Sequence, residues 1–449
     1  MTDPTSSPLR LLGERRFWPL FGAQALGAFN DQVFKTGFVS LITFRLADLH
    51  GLNAGFHNAF AAGLFILPFA LFAPTAGQIA DGMDKGLMMK RVKAAEIVLM
   101  LLAALAYHLQ NLTLLYGLLF LMGAQSAVFS PIKYGILPQY LKPGELVAGN
   151  GLIQAATFLA ILFGQIAGAK LVLSEAGVTI ISVLVVLVAV AGWLFSLKTP
   201  PAPPLGASPP RVDWVFPRAV WSVIRETRRN RPAFKAILNI AWFWFLGATY
   251  MALVLPFAKE SLGADENVSV ILLAAFSIGV ALGSAACARL YKGEARVDLA
   301  GWAAVGMAVL AILLFFATKA YQAAAPLPEA LMGPAAFWTR AWAWAILLCF
   351  VGLAAAAGLY ITPLNARMQT AAEPEARGRV VAASNVLDSL LMVLSSVAAM
   401  GLIAAGLSHE AIFALVGATG FLAALWAAAD APQGILGRIG RAVGFGERG

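Results

Sequence analysis

Charged residues are scarce in this sequence. Asp, Glu, Lys and Arg make up 12% of its 449 residues, about half the ~25% of an ordinary soluble domain. So few ionic groups cannot cover a water-facing surface of this length, which excludes a cytosolic enzyme. There are two cysteines, Cys287 and Cys349, both in apolar runs, so the chain has neither a disulfide framework nor a thiolate metal site. The four histidines, His50, His57, His108 and His409, lie outside the apolar runs or at their ends. None is followed by Asp at the spacing used for acyl transfer to glycerolipids. P-loop, G-x-S-x-G and H-E-x-x-H motifs are missing too. ATP-driven transport and hydrolysis therefore have no visible engine, and the chain is expected to be no enzyme and to use no cofactor or metal.

What is abundant is apolar surface, at 60% of residues with a mean hydropathy of +0.78. About twelve stretches approach the ~20 residues that cross a hydrocarbon core at 1.5 Å per residue. They fall at roughly 17–46, 57–80, 87–107, 112–140, 147–172, 177–197, 234–258, 268–289, 297–318, 340–363, 377–405 and 410–430. The expected fold is an all-α polytopic membrane protein with twelve transmembrane helices in two six-helix bundles. The first span follows Arg10, Arg15 and Arg16 with no small-residue cleavage site, so it is expected to be retained.

Lys and Arg are distributed unevenly about these spans. Arg45, Lys170, Lys259, Lys319 and Arg340 fall on one side and Lys35 and Lys133 inside spans; the rest of the 32 are assigned to the side of the N-terminus. The positive-inside rule then puts both termini in the cytoplasm. The net charge of +9 thus reflects topology and contact with anionic membrane lipids, not nucleic-acid binding.

The longest polar stretch separates six spans from six, giving three expected segments: an N-terminal bundle over 1–197, a cytoplasmic linker over 198–233 and a C-terminal bundle over 234–449. TPPAPPLGASPP is too rich in proline for helix. From Asp213 to Asn230, Trp214, Phe216, Trp221 and Ile224 alternate with Arg218, Arg225, Arg228 and Arg229, a pattern for an amphipathic helix on the inner membrane face or a solvated linker helix.

Corresponding points of the two halves are similar. Pro131 and Pro138 precede LVAGNG in the first half, and Pro363 precedes VVAASN in the second. Between spans two and three, GQIADGMDKG places Gly77, Asp81 and Lys85 in a short loop. It resembles the loop signature of the major facilitator superfamily. Glycine there lets helices approach, and an acid near a helix N-terminus can be stabilised by free N–H groups and nearby Lys or Arg. A gating charge clasp is expected, against the alternative of an ordinary polar turn. In the equivalent second-half loop, Cys287 stands where an acid would be expected.

Polar and ionisable groups within a bilayer are expensive, ~2.5–3.5 kcal/mol for a charged one on insertion scales, so they are functional candidates. Spans six, nine and twelve carry almost none and read as lipid-facing scaffold; one, four, five and eleven carry several. In span one, Gln24, Asp31 and Lys35 share a face beside Asn30, and Asp31 and Lys35 have the i, i+4 spacing of an ion pair. In span four, Ser126, Ser130 and Lys133 share a face, with Lys133 ~30 Å along the helix, placed either to bind a ligand or to snorkel to the interface. Asn150, Gln154 and Thr157 line span five, and Ser384, Asn385, Asp388 and Ser389 form a patch in span eleven. A helix–helix hydrogen bond would account for any one Asn or Gln alone.

Several segments point to a narrower resemblance: AFNDQVFK at Ala28–Lys35, FSPIKYGILPQYL at Phe129–Leu141, ELVAGNGLIQAATFLAILFG at Glu145–Gly164, AWFWFLGATY at Ala241–Tyr250 and YITPLNARMQTAAEPEARGRVVAASN at Tyr360–Asn385. Together they resemble the lysophospholipid transporter family of the major facilitator superfamily, and especially the transporter module of acyltransferase/acyl-carrier-protein synthetase fusions. The resemblance implies flippase-like inward movement of lysophospholipid across the bacterial inner membrane, for re-acylation by a cytoplasmic-side acyltransferase; the chain is expected to be a monomer. The motif acid falls on Asp31 and the motif lysine on Lys133. Past Lys235 at its edge, the interior of span seven holds no charged residue to match a basic contact there.

A substrate with a phosphate, often an ammonium, and one long chain needs a few paired charges beside an apolar wall. Lys35 or Lys133 would take the phosphate, Asp31 or Asp388 the amine, and two bundles rocking about the site would give alternating access. Two other functions fit the same residues: a proton-coupled exporter of drugs or metabolites, and a non-transporting scaffold for an acyltransferase.

Overall fold

The computed structural model describes residues 8–142, 145–204, 212–291, 297–371 and 377–428. Among them the chain is helical, with one isolated bridge between Ala264 and Met332. The long helices are α1 (Trp18–Leu41), α2 (Ala54–Asp81), α3 (Lys85–Leu109), α4 (Leu112–Tyr140), α5 (Leu146–Leu171) and α6 (Gly177–Leu197). After the linker come α7 (Arg231–Pro256), α8 (Glu266–Tyr291), α9 (Val297–Ala324), α10 (Ala341–Thr370) and α11 (Arg377–Ala404). The last span, α12, is made of two helices, His409–Ala418 and Gly420–Ala428, broken at Thr419. Ten described helices are long and apolar enough to cross a membrane. The other two expected spans are α1, which carries its charges mid-helix, and α5, whose Leu159–Leu171 is an apolar run. The first helix is shorter than expected, since the backbone widens into a π-turn at Ile42–Leu46.

Helix starts follow local chemistry. Asp84 accepts from the Leu87 N–H at 2.8 Å to open α3, and Asn111 accepts from Leu114 at 2.9 Å to open α4. Asn230, just ahead of Pro232, caps α7 through the Ala233 N–H at 3.2 Å.

The chain divides into two compact units, Met1–Ile42 with Leu64–Val220, and Thr43–Gly63 with Trp221–Gly449. In the first, α1 packs on α5 and α6, and α3 on α4 and α6. Its apolar core gathers Phe17, Leu20, Met88, Met89, Phe129, Ile132 and Ile136. Arg16 joins three segments: it donates to the Tyr140 carbonyl at 2.6 Å at the end of α4 and pairs with Glu145, ahead of α5, at 2.9 Å. That guanidinium holds the Glu145 carboxyl below its ordinary value.

In the second unit, α8 and α9 pack on α10, α7 on α11, and α9 on α12. At Gly283 a Cβ would overlap the Ala355 backbone, so only glycine permits this contact of α8 with α10. Tyr250 stacks on Phe413 at 4.3 Å and donates to its carbonyl. Ser261 and Lys319 both donate to buried Glu410, at 2.8 and 2.7 Å.

The helices expected as scaffold do turn apolar side chains outward: Val183, Leu187 and Leu194 on α6, Leu313 and Phe316 on α9, and Leu415 and Leu422 on α12. Between the units' long helices, the linker forms a helix over Phe216–Thr227, narrower than the segment expected from sequence. Trp221 on this helix and Trp214 just ahead of it are exposed.

Candidate functional site

The polar residues of α1 meet partners on α3, α4 and α5. Gln24 is buried and donates to Thr157 Oγ1 at 3.0 Å, a bond that ties α1 to α5. Two turns on, Asn30 is fully buried and its Nδ2 donates to Glu96 Oε1 at 3.0 Å. Asp31 accepts from Ser126 Oγ at 2.6 Å, joining α1 to α4. The sequence spacing suggested that Asp31 and Lys35 form a direct ion pair. Instead, the Lys35 ammonium lies 5.3 Å over the Phe65 ring and acts on Asp31 through space. Lys133 is also in electrostatic reach of Asp31. Asp31, Lys35 and Lys133, the three charges singled out in the first six spans, are therefore neighbours in the folded chain, and all three are partly exposed.

Sequence reasoning missed a second ion pair behind them. Lys93 and Glu96, one turn apart on α3, close a 2.7 Å bridge with side chains only 1% and 2% exposed. Gly27 provides the room, since a Cβ there would overlap the Lys93 ammonium. Glu96 also accepts from Gln125 Nε2 at 3.2 Å, and Lys93 lies 5.0 Å over the Phe129 ring. In the sequence Lys93 follows Lys85, Lys90 and Arg91 and reads as one more of the basic residues on the side of the N-terminus. The available signal was Glu96, an acid one turn further along an otherwise apolar run.

Asn150 and Gln154 have side chains outside the described residues. On α11, Asn385 is exposed, and Asp388 accepts from Ser384 at a long 3.4 Å. Asp388 Oδ1 is buried with no donor among the described residues, a valence open to a ligand cation or a proton. Trp242 donates to Thr419 at 2.8 Å, and Tyr360 to Asn239 at 2.8 Å, which makes these α7 residues helix ties.

In the loop between α2 and α3 the roles differ from the expectation. Asp81 ends α2 and is 74% exposed, 3.9 Å from the buried Lys85. The N-terminus of α3 is capped by Asp84, which also accepts from the Ala202 N–H at 3.2 Å. Asp84 is the acid adjoining the free N–H groups, and Asp81 lies one turn too early. Gly77 is in ordinary contact with Pro131, with no tight approach. Tyr140 donates to the Pro200 carbonyl, which with Asp84 fastens the start of the linker to this end of the unit.

Two apolar-walled helical units with polar and charged side chains mid-span, and a linker between them, match a known architecture. The family model of the Major Facilitator Superfamily matches residues 20–396. The chain belongs to this superfamily. Solved superfamily-type folds agree: the POT family transporter PepTSo aligns with a TM-score of 0.66 at 13% identity, covering 95% of this chain and 98% of its own. A D-xylose-proton symporter aligns at 0.65 with 15% identity over 91% and 96%. At those identities the likeness establishes the fold alone. Among sequence relatives, a protein named Lysophospholipid transporter LplT from Serratia proteamaculans is 27% identical over 401 residues, covering 88% of this chain and 89% of its own length. One of the same name from Klebsiella pneumoniae is 29% identical over 377 residues, 81% and 84%. The chain is thus a multi-pass membrane protein of a transporter superfamily, similar along most of its length to named lysophospholipid transporters.

Proposed function

We propose that this protein is a secondary transporter that carries lysophospholipids, with lysophosphatidylethanolamine foremost, inward across the bacterial inner membrane by alternating access, both termini being cytoplasmic. The observation that carries the reading is the convergence of Asp31, Lys35 and Lys133 in one membrane-embedded cluster, in a chain whose named relatives carry lysophospholipid in their names. An ammonium suits Asp31, and a phosphodiester suits Lys35 and Lys133. The apolar helices supply surface for the single acyl chain. Asp388 and Asn385 are proposed as headgroup contacts offered by α11, on the strength of the open valence at Asp388 Oδ1. Asn150 and Gln154 are proposed as contacts from α5, and Gly77, Asp81 and Lys85 as the gating loop. Asn30 and Gln24 support the site from behind, since both are buried and donate across helices. A cytoplasmic-side acyltransferase would consume the product.

The test is uptake of labelled lysophosphatidylethanolamine into spheroplasts. Asp31→Asn and Lys133→Ala should each abolish it at normal expression, and Asp388→Asn should reduce it. Unchanged uptake in the first two would remove the site assignment. Uptake that collapses when the proton gradient is dissipated would favour proton coupling through Asp31 or Asp388.

A further inference from the structure

Glu96 gathers three donors from three helices: Lys93 on its own α3 at 2.7 Å, Asn30 on α1 at 3.0 Å and Gln125 on α4 at 3.2 Å. The two amides are the chain neighbours of the residues that make the 2.6 Å Asp31–Ser126 bond. Asn30 precedes Asp31 and Gln125 precedes Ser126, so one buried carboxylate grips both helices immediately behind the part-buried bond. Ser126 Oγ also lies 3.1 Å from Gln125 Oε1, which makes the two layers one network. A buried ion pair is an expensive way to hold helices together, and apolar residues of equal volume commonly do it as well. They cannot fix amide orientations or the rotation of two helices about a polar contact.

We propose that Glu96, paired with Lys93, is a positioning residue for the Asp31 site. It sets the spacing and rotation at which α1 and α4 present Asp31 and Ser126, without itself touching substrate. Lys93 keeps the carboxylate in place, and Gly27 leaves room for the ammonium. The inference rests on the transport reading above for its link to uptake, and on geometry alone for its effect on Asp31.

The test replaces the pair together, Lys93→Met with Glu96→Leu, so that no lone ion remains. Folded yield should hold while the half-saturation concentration for lysophosphatidylethanolamine uptake rises about tenfold, the equivalent of one positioned hydrogen bond, with the maximal rate nearly unchanged. The infrared carboxyl band of Asp31, assigned by its loss in Asp31→Asn, should shift in the double variant. If that variant does not fold, Glu96→Asp keeps the charge and withdraws the carboxylate by one methylene from Asn30 and Gln125; the band should then move the same way by less. An unmoved Asp31 band overturns the proposal, and so does an unchanged half-saturation in a chain that transports. If the unmutated chain takes up no lysophospholipid, the transport reading fails by itself and the band still decides the role of Glu96.

Discussion

Separating the charges of Lys93 and Glu96 should be far more damaging than removing both. In Lys93→Met the Glu96 carboxylate, 2% exposed, keeps only the amide donors of Asn30 and Gln125. Breaking one side of a buried pair costs about 3–5 kcal/mol, whereas replacing both partners by apolar residues is often neutral. In a unit of this size each kcal/mol moves the midpoint by about 2–4 °C, so the single variant should melt about 6–20 °C lower. The double variant strands no ion, only the amides of Asn30 and Gln125, so it should recover part of that loss and melt between the single variant and the unmutated chain. Thermal unfolding in detergent, followed by the loss of monodisperse protein on size exclusion, measures both. A single variant within about 2 °C of the double would mean that water reaches the pair, and the sealed-layer reasoning behind Glu96 would fail.

Three further outcomes follow from other parts of the molecule. The Arg16–Glu145 pair lowers the carboxyl's folded value, so its stabilisation is full above the unfolded value of about 4.3 and is lost as pH falls through the lower folded value; melting curves of the unmutated chain and Glu145→Gln should differ at neutral pH and converge in acid. Gly283→Leu would drive a side chain into the Ala355 backbone, so α8 and α10 must part, at a cost of about 1–3 kcal/mol or more, read as lower folded yield in detergent; normal yield and melting would refute the close contact. Trp221, 57% exposed on the linker helix beside Arg218 and Arg225, should lose fluorescence to brominated anionic lipid; full emission in such bilayers would mark a solvated linker.

Much of the fold was legible because a bilayer enforces it: length and apolarity are enough to place helices when no other element satisfies the backbone in lipid. The charges of α1 and α4 were legible for the same reason, since Asp31 and Lys133 stand out against apolar neighbours. Partners were not, because an i, i+4 spacing states only that two side chains share a face. The structure assigns Asp31 to Ser126 and leaves Lys35 over Phe65. Lys93 was hidden by the basic run ahead of it, and its ammonium packs against Gly27 of another helix. Asp84 was overlooked in favour of Asp81 because the cap position depends on where α3 begins, and helix boundaries are the least legible feature of a sequence.

The central claim is tested most directly by purified, unmutated protein in liposomes offered labelled lysophosphatidylethanolamine. Saturable uptake well above that of protein-free vesicles is the predicted result. Uptake equal to that of empty vesicles, from protein shown to be folded, would contradict it.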